Sequence, residues 1–225
     1  ENRWKKCGIS FDLMGYVMDS SWCKYNVIVS IYRNDGTVAI AHGGIEVGQG
    51  INTKVAQVAA KELGISVDMI SVKPTNSLTN PNSAPTGGST TSDANCWAIA
   101  EACKELMSRL NPIKQKLGKG ANWIQLVSQA YNDNVDLCAR KYFNGNVDVK
   151  HHFYVIAGIV SEVEVTRVDI CEDAGRSISP KIDLCQIEGA LVMGLGMYLT
   201  EIVKRDPNSG KLLTNGSWER FTRPL

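Results

Sequence analysis

The sequence has 225 residues, 44% of them hydrophobic, which is enough to bury a sizeable core. Lysine and arginine total 24 against 23 for aspartate and glutamate, a formal net charge of +1. This balance supplies neither the basic field that nucleic acid requires nor an acidic tract for cationic partners. No run approaches the roughly 18 apolar residues of a membrane helix, so we expect neither a nucleic-acid partner nor a membrane partner.

The first part of the chain predicts a β-hairpin that leads through a glycine-rich loop into a helix. Residues 26–31 alternate, 34–36 supply turn residues, and 38–41 resume an apolar run. The loop that follows is His42-Gly43-Gly44-Ile45-Glu46-Val47-Gly48-Gln49-Gly50. Apolar residues then recur at helical spacing over 51–63, and Gly64 is a natural stop for that helix.

A second loop precedes the clearest helix of the sequence. A short strand is predicted over 68–74, and residues 75–93 form a polar stretch rich in turn formers. The helix that follows carries an apolar stripe over 96–110, and Ser92 and Asp93 suit the cap at its start. Loops of this length in compact domains are usually functional or disordered, and the helix after it favours an ordered loop.

The rest of the chain predicts a helix over 123–131, strands over 135–142 and 153–169, and a last helix whose apolar face includes positions 184–202. Residues 207–210 predict a turn. No repeat or linker divides the chain. We therefore expect an α+β fold, with mixed sheets and packed helices, forming one domain over 1–225. Residues 1–150 hold the hairpin, glycine loop and helices, and 151–225 form a second subregion that is incomplete at its C-terminal end.

The seven cysteines are widely spread and include no C-x-x-C pair. This favours buried free thiols in a reducing compartment over a disulfide framework or a zinc or iron–sulfur site. Residues 1–6 lack the apolar core of a secretory signal. The sequence therefore predicts a cytoplasmic protein.

The chemistry of the two loops leaves a structural and a ligand-binding role open for each. Glycines in the first loop allow backbone amides to face an anionic ligand, but they equally suit an ordinary strand-to-helix turn. This loop is neither a dinucleotide motif nor a phosphate P-loop. In the second loop, Thr86-Gly87-Gly88-Ser89-Thr90-Thr91-Ser92 lies at the predicted helix start, where it fits either a phosphate site or a polar N-cap.

Three further polar residues are also ambiguous. Gln186 and Glu188, near the start of the last helix, fit either ligand contacts or ordinary first-turn residues favoured by the helix dipole. His42 fits either a base or, more commonly for a histidine that ends a strand, a hydrogen-bonded structural residue.

The remaining histidines and one carboxylate pair do not predict a catalytic centre. His151 and His152 are adjacent, so in a strand they point to opposite faces and cannot jointly hold a metal. Glu162 and Glu164 would share one face of a strand. We predict no catalytic residue and no metal ligand within this chain.

Three motifs in this order resemble the molybdenum domain of the aldehyde oxidase and xanthine dehydrogenase family. They are HGGIEVGQG at 42–50, PTGGSTTSD at 85–93 and QIEGALVMGLG at 186–196, and the resemblance begins at residues 2–6. Within that family, the Thr-Gly-Gly-Ser version of the second motif and Ser71-Val72-Lys73-Pro74 look most like insect aldehyde oxidases.

The resemblance implies a set of cofactor-binding residues. The set comprises Val47, Gly48 and Gln49 against the pterin, Gly88, Ser89, Thr90 and Thr91 around its pterin and phosphate side, and Gln186 as a further contact. The implied cofactor is molybdopterin carrying molybdenum, joined in the full-length enzyme by two [2Fe–2S] clusters and FAD. The implied reaction oxidises aldehydes to carboxylic acids with water-derived oxygen, and electrons pass through the clusters and FAD to O₂. The family is dimeric, which implies a homodimer at full length.

The resemblance also bears on the class of substrate. Xanthine dehydrogenases carry a Phe-Thr pair that clamps the purine, and counting back from the hairpin places Met18-Asp19 near that position. This favours an aldehyde, with xanthine dehydrogenase or oxidase as the alternative. A catalytically incompetent pterin-binding module is an alternative of another class.

Two departures from the family pattern bear on these expectations. The family's catalytic base is a glutamate in a Gly-Glu-Pro sequence nearer the C-terminus, and its iron–sulfur and flavin domains lie N-terminal, but this sequence contains none of them. We therefore interpret the chain as a fragment that is inactive alone. At 162–169, where the family has two strands joined by a turn, no turn residue remains, which predicts one continuous strand or an aberrant transcript or gene copy.

Overall fold

The computed structural model describes residues 7–118, 120–145, 150–162, 164–200 and 204–213. Residues 2–6, where the family resemblance begins, and position 202 of the predicted last helix lie outside these ranges. The chain divides into two compact units, Glu1–Ile178 and Ser179–Leu225.

The first unit combines strands and helices, which confirms the α+β class. Its strands are β1 (Cys7–Asp19), β2 (Tyr25–Ile31), β3 (Val38–His42), β4 (Ile70–Val72), β5 (Cys138–Phe143), β6 (Lys150–Glu162) and β7 (Glu164–Asp173). Its α-helices within the described ranges are α1 (Ile51–Leu63), α2 (Thr91–Leu117) and α3 (Trp123–Asn132). The strand predicted over 68–74 is shorter than expected, because a 3₁₀ turn over Val67–Met69 precedes β4.

A four-stranded mixed sheet in the order β4-β3-β2-β5 contains the predicted hairpin. β2 pairs antiparallel with β3 and with β5, whereas β3 and β4 run parallel. The Asp35 carboxylate closes the hairpin turn by accepting the backbone N–H of Thr37 at 2.9 Å and its hydroxyl at 2.8 Å. The bond from the Thr37 backbone, more than any other cause, holds the pKa of Asp35 below its ordinary value.

The core lies between this sheet and the first two helices. Ile51, Val55 and Ala59 of α1 are buried with no exposed surface, and the apolar stripe of α2 packs against β2 and β5. Complete burial of a side chain such as Ile51 stabilises the folded state by about 1.5–3 kcal/mol. Helix α1 ends at Gly64, as predicted, because Gly64 takes a left-handed conformation with a φ of 70°.

The start of α2 differs from the sequence prediction. The helix begins at Thr91, and Thr90 is its N-cap, so Ser92 and Asp93 lie in the first turn and the prediction that they cap the helix is wrong. The Thr91 hydroxyl accepts the N–H of Gly87 at 3.1 Å, which fixes the helix start before Ser92 is reached. This contact depends on the conformation of the preceding loop, which local propensity does not reveal.

A second sheet corrects the expectation of one continuous strand over 153–169. It has the order β1-β6-β7, with both neighbouring pairs antiparallel. The chain reverses between β6 and β7, so Glu162 pairs with Glu164 across a hairpin and the two residues do not lie on one strand. The register of this pair shifts between Val160 and Ser161. Pairing of β6 with β1, which is distant in the sequence, fixes the extent of β6 and carries no local sequence signal.

The second unit contains the predicted last helix, α4 (Pro180–Leu199). The helix begins with Pro180, and proline is favourable in the first turn of a helix. The predicted turn at 207–210 is confirmed, because Asp206 accepts the N–H groups of Asn208 at 3.0 Å and Ser209 at 2.7 Å. The bond from Ser209 is the main reason that the pKa of Asp206 is lowered. Among the residues described, no helix is long and apolar enough to cross a membrane.

The six cysteines whose side chains are described are all free thiols, and only half of them fit the prediction of buried thiols. Cys23, Cys96 and Cys103 are buried, whereas Cys138, Cys171 and Cys185 are exposed, which corrects the prediction for those three. Burial raises the pKa of Cys96 and of Cys103 to about 12, so both remain protonated and unreactive at neutral pH.

Candidate functional site

The parallel pair of strands β3 and β4 brings the two loops together. The first loop (residues 42–50) leads from β3 into α1. The second loop leads from β4 into α2 and spans residues 73–90 in the structure, where 75–93 was predicted. Because parallel strands end at the same edge of a sheet, the two loops start side by side. The Ile45 N–H donates to the Thr86 hydroxyl at 2.9 Å, and the Thr75 hydroxyl donates to the carbonyl oxygens of His42 and Gly44, 2.8 Å from each.

Two glycines of the first loop are required by this close packing. A Cβ at Gly44 would lie 2.5 Å from Ile51 Cδ1 and 2.9 Å from Thr91 Cγ2, so a larger residue would push apart the starts of both helices. A Cβ at Gly43 would overlap the Ser83 side chain in the second loop. The Gly43-Gly44 pair therefore serves contact between the loops.

Glu46 organises the C-terminal half of the first loop. Its Oε1 accepts the backbone N–H groups of Gly48 at 3.1 Å and Gly50 at 2.9 Å, and its Oε2 accepts that of Asn52 at 3.2 Å. Gly50 is the N-cap of α1, has a φ of 72° and provides no side-chain cap. Glu46 therefore supplies the acceptor that the amino end of this helix would otherwise lack.

The Gln49 side chain bonds within the same loop. Its Oε1 accepts the Val47 N–H at 2.7 Å, and its Nε2 donates to the Ile45 carbonyl at 2.9 Å. A glutamine amide has two N–H donors and two acceptor lone pairs, so one of each remains for a ligand. Gly48 has a φ of 101°, and no atom lies within 4 Å of where its Cβ would be, so the backbone there is accessible.

His42 acts as a structural residue at the start of the first loop, which decides between the two roles that the sequence left open. It is almost completely buried, and its Nδ1 accepts the Gly44 N–H at 3.2 Å. The proton therefore sits on Nε2, which donates to Asn52 Oδ1 at 2.9 Å. Burial lowers the pKa of His42, with Asn52 and Glu46 opposing that shift, so the imidazole is neutral at pH 7.

Buried side chains of β2 and the turn before it hold the base of the second loop. The Tyr25 hydroxyl donates to the Pro85 carbonyl at 2.9 Å and lies 2.9 Å from the Thr91 hydroxyl. The Cys23 thiol lies 3.0 Å from the Thr90 hydroxyl. Burial raises the pKa of both Cys23 and Tyr25, so these contacts join uncharged groups.

The tip of the second loop differs from its base because it is exposed and its donors are open. Gly88 and Ser89 have φ values of 65° and 57°, two consecutive left-handed residues. Within the described parts of the chain, their N–H groups and the Ser89 hydroxyl make no hydrogen bond. The Trp22 ring lies against Gly88, 3.0 Å from where a Cβ would be. This tip therefore presents donors beside the start of α2.

The structure brings together seven of the eight residues that the resemblance implies. Val47, Gly48 and Gln49 are in the first loop, and Gly88, Ser89, Thr90 and Thr91 are in the second loop or at the first position of α2. The side chains of Thr90 and Thr91 are buried and bonded internally, which leaves their backbone for any ligand. Gln186 is exposed on α4 and belongs to the second unit. No metal-holding group of three or more His, Cys, Asp or Glu side chains occurs in the part of the chain that is described.

The sequence interpretation missed the residues that shape these loops. Glu46 stands two and four residues before the glycines whose N–H groups it accepts, a local pattern that could have revealed a helix cap. Tyr25, Cys23 and Thr75 carry no such signal, since their partners lie far along the chain.

Solved structures share the fold of this chain. The chain superimposes on CO dehydrogenase from Oligotropha carboxidovorans with a TM-score of 0.82 at 20% identity, covering 98% of this chain and 32% of that one. It matches the aldehyde oxidoreductase from Desulfovibrio desulfuricans with a TM-score of 0.70 at 20% identity, covering 88% and 23%. At these identities the comparison establishes the fold, that of a domain within larger oxidoreductases.

The sequence comparisons establish the family. The molybdopterin cofactor-binding domain family matches residues 1–220, so the chain belongs to that family. Aldehyde oxidase 4 from Cavia porcellus is 38% identical over 238 residues, and xanthine dehydrogenase from Drosophila pseudoobscura pseudoobscura is 35% identical over the same length. Each alignment covers 96% of this chain, and the chain spans only 18% of the length of each relative. The family resemblance inferred from the three motifs is confirmed.

Proposed function

We propose that the two loops bind the pterin and phosphate of a molybdenum cofactor. The proposed contacts are Val47, Gly48 and Gln49 in the first loop and Gly88, Ser89, Thr90 and Thr91 at the second. The observation that carries the proposal is the exposed tip of the second loop, whose Gly88 and Ser89 donors are open beside a helix start. For Gln186 the support is the QIEGA motif alone.

The geometry of these residues fits such a group. Open space at Gly48 and Gly87, where a Cβ would meet no atom within 4 Å, allows a planar ring to approach the backbone closely. Gln49 keeps one donor and one acceptor while its other bonds hold the loop. The open N–H groups at the second loop suit phosphate oxygens.

In this proposal the residues of the chain bind and orient, and the cofactor provides the reactive centre. When bound, the cofactor supplies oxidation of a small substrate with oxygen derived from water. Tyr25 and Cys23 fix the base of the second loop, and Glu46 and His42 fix the first, so the binding groups are preorganised.

We infer that the full-length protein oxidises aldehydes to carboxylic acids in the cytoplasm, passing electrons through [2Fe–2S] clusters and FAD to O₂, as a homodimer. The aldehyde oxidase relatives and the residues at Met18-Asp19, in place of a Phe-Thr pair, support an aldehyde over a purine. The test is steady-state oxidation of benzaldehyde and of xanthine by full-length protein. Turnover of xanthine alone would assign the xanthine dehydrogenase activity instead.

The isolated chain is expected to bind without turnover. Purified residues 1–225 should give no measurable aldehyde oxidation, because the sequence holds no Gly-Glu-Pro glutamate and no iron–sulfur or flavin domain. A measurable rate would contradict this part of the proposal, and a full-length protein that binds the cofactor but oxidises neither substrate would favour a pterin-binding module.

The binding proposal is tested by placing a negative charge at the tip of the second loop. Ser89→Asp should reduce the molybdopterin recovered per chain by about tenfold, since one like charge beside a bound phosphate costs on the order of 1–2 kcal/mol. Ser108→Asp, which adds the same charge on the exposed face of α2, is the matched control and should leave the recovery unchanged. Equal recovery from both variants would refute phosphate binding at this tip.

A further inference from the structure

A small cavity lies where the end of β1, the first turns of α2 and the end of β5 meet. Its volume is about 160 Å³. An apolar cavity of about 150 Å³ engineered into another protein holds benzene, so this volume suits a ligand with a single aromatic ring. Asp93 and Trp97 line the cavity and are exposed, so a ligand can enter from solvent on their side.

The walls of this cavity are mainly apolar and include two aromatic rings. Trp97 and Phe143 stand edge to face, with their ring centroids 5.5 Å apart and an angle of 75° between the ring planes. Met18 and the buried Ala94 complete the apolar lining. Aromatic rings and a methionine sulfur both make favourable contacts with a further aromatic ring. The walls therefore favour an aromatic ligand over a polar one.

One polar group of the lining has no hydrogen-bond partner. Ser20 is only 8% exposed, and its hydroxyl makes no hydrogen bond to any residue that the structure describes, although buried polar groups almost always make one. The Thr90 hydroxyl is already 3.0 Å from the Cys23 thiol and 3.4 Å from the Gly87 carbonyl oxygen. Asp93 likewise takes part in an interaction of its own. The group that still needs a partner is therefore one uncharged hydroxyl.

We infer that this cavity binds an uncharged phenol, a ligand that nothing in the proposed cofactor site requires. The aromatic ring lies among Met18, Trp97 and Phe143, and the phenol oxygen meets the Ser20 hydroxyl. Both hydroxyl groups can donate and accept, so they can pair in either direction. The ring supplies the affinity, and the oxygen supplies the preference for a phenol over a plain hydrocarbon.

The experiment is an NMR titration of the ¹⁵N-labelled chain with phenol and, separately, with toluene, which has nearly the same shape but no oxygen. Phenol should shift the Trp97 indole N–H and the Ala94 amide signals to saturation, with a Kd on the order of 1 mM for so small a ligand. Toluene should bind about tenfold more weakly, because it leaves the Ser20 hydroxyl unpaired. The indole signals of Trp22 and Trp123, which do not line the cavity, should stay in place.

Substitutions in the lining test the two parts of the site separately. Ser20→Ala should remove the preference for phenol over toluene while both still bind. Ser21→Ala, at the exposed neighbouring serine, is the matched control and should reproduce the parent chain. Ala94→Leu should fill the cavity and abolish the saturable shifts with both probes. If Ala94→Leu does not fold, the comparison of Ser20→Ala with Ser21→Ala still decides the role of the hydroxyl.

The outcomes either support the site or overturn it. A preference for phenol that is present in the parent and in Ser21→Ala but lost in Ser20→Ala would support it. The inference would be wrong if neither probe shifted the Trp97 and Ala94 signals to saturation, if the parent bound both probes equally, or if Ser20→Ala kept the preference. None of these results bears on molybdopterin binding, which is measured by cofactor recovery from the Ser89→Asp and Ser108→Asp variants.

Discussion

The two loops begin at neighbouring parallel strands and end at helices, yet one is closed and the other open. In the first loop, Glu46 and Gln49 accept or donate the hydrogen bonds that the backbone needs. In the second loop, buried residues of another strand clamp the base, and the tip keeps its donors. Glycine-rich loops before helices are therefore not equivalent, and the side chains that fill or spare their N–H groups determine what they can bind.

The closed loop is stabilised from within, and the open loop from outside. Glu46 and Gln49 lie within a few residues of their partners, whereas the partners of Tyr25, Pro85 and Thr91, lie 60 and 66 residues further along the chain. This difference predicts which substitutions damage the fold and which change only binding.

The largest expected effect is at the contact between the loops. Gly44→Ala should lower the free energy of unfolding by about 1–3 kcal/mol, because its Cβ would meet Ile51 and Thr91 within 3 Å. Gly87→Ala, where the Cβ meets open space, is the matched control and should change stability by less than about 0.5 kcal/mol. Urea unfolding of both variants measures the difference, and equal midpoints would show that the loops do not pack as described.

An effect on the free energy of unfolding that is no larger than this is expected at Tyr25, which clamps the second loop. Tyr25→Phe removes the hydroxyl that meets Pro85 and Thr91, and the loss of two hydrogen bonds should lower the free energy of unfolding by about 1–3 kcal/mol. Tyr32→Phe removes an exposed hydroxyl and should have little effect. If Tyr25→Phe unfolds at the same urea concentration as the parent, the second loop is not clamped from β2.

The smallest effect is expected at His42 and depends on pH. Its folded-state pKa is below the ordinary 6.5, so as the pH falls below 6.5 the unfolded chain binds a proton that the folded chain resists, and stability is lost. Unfolding free energies at about pH 7.5 and about pH 5.5 should differ less for His42→Gln than for the parent, since glutamine does not titrate in this range. The same pH dependence in both chains would place the titration elsewhere.

The sequence predicted those features that depend on local pattern. Alternating residues of β2 and β3, the apolar stripe of α2 and the stop at Gly64 were all visible as periodicity or turn chemistry. It did not predict the β6–β7 hairpin, because the position of β6 is fixed by pairing with β1, more than a hundred residues away. The motifs pointed to the two loops of the proposed site, and the Glu46 contacts within the first loop are local. The clamp of the second loop depends on long-range contacts of Tyr25 and Cys23 that no spacing encodes.

Hydrogen–deuterium exchange of the chain with and without molybdopterin tests the central claim most directly, because it reports where the ligand sits without requiring turnover. We predict slowed exchange at residues 47–49 and 88–91, with the larger change at the second loop, whose donors are open in the free chain. Slowed exchange confined to other segments, or unchanged exchange at both loops when the cofactor is bound, would contradict the account.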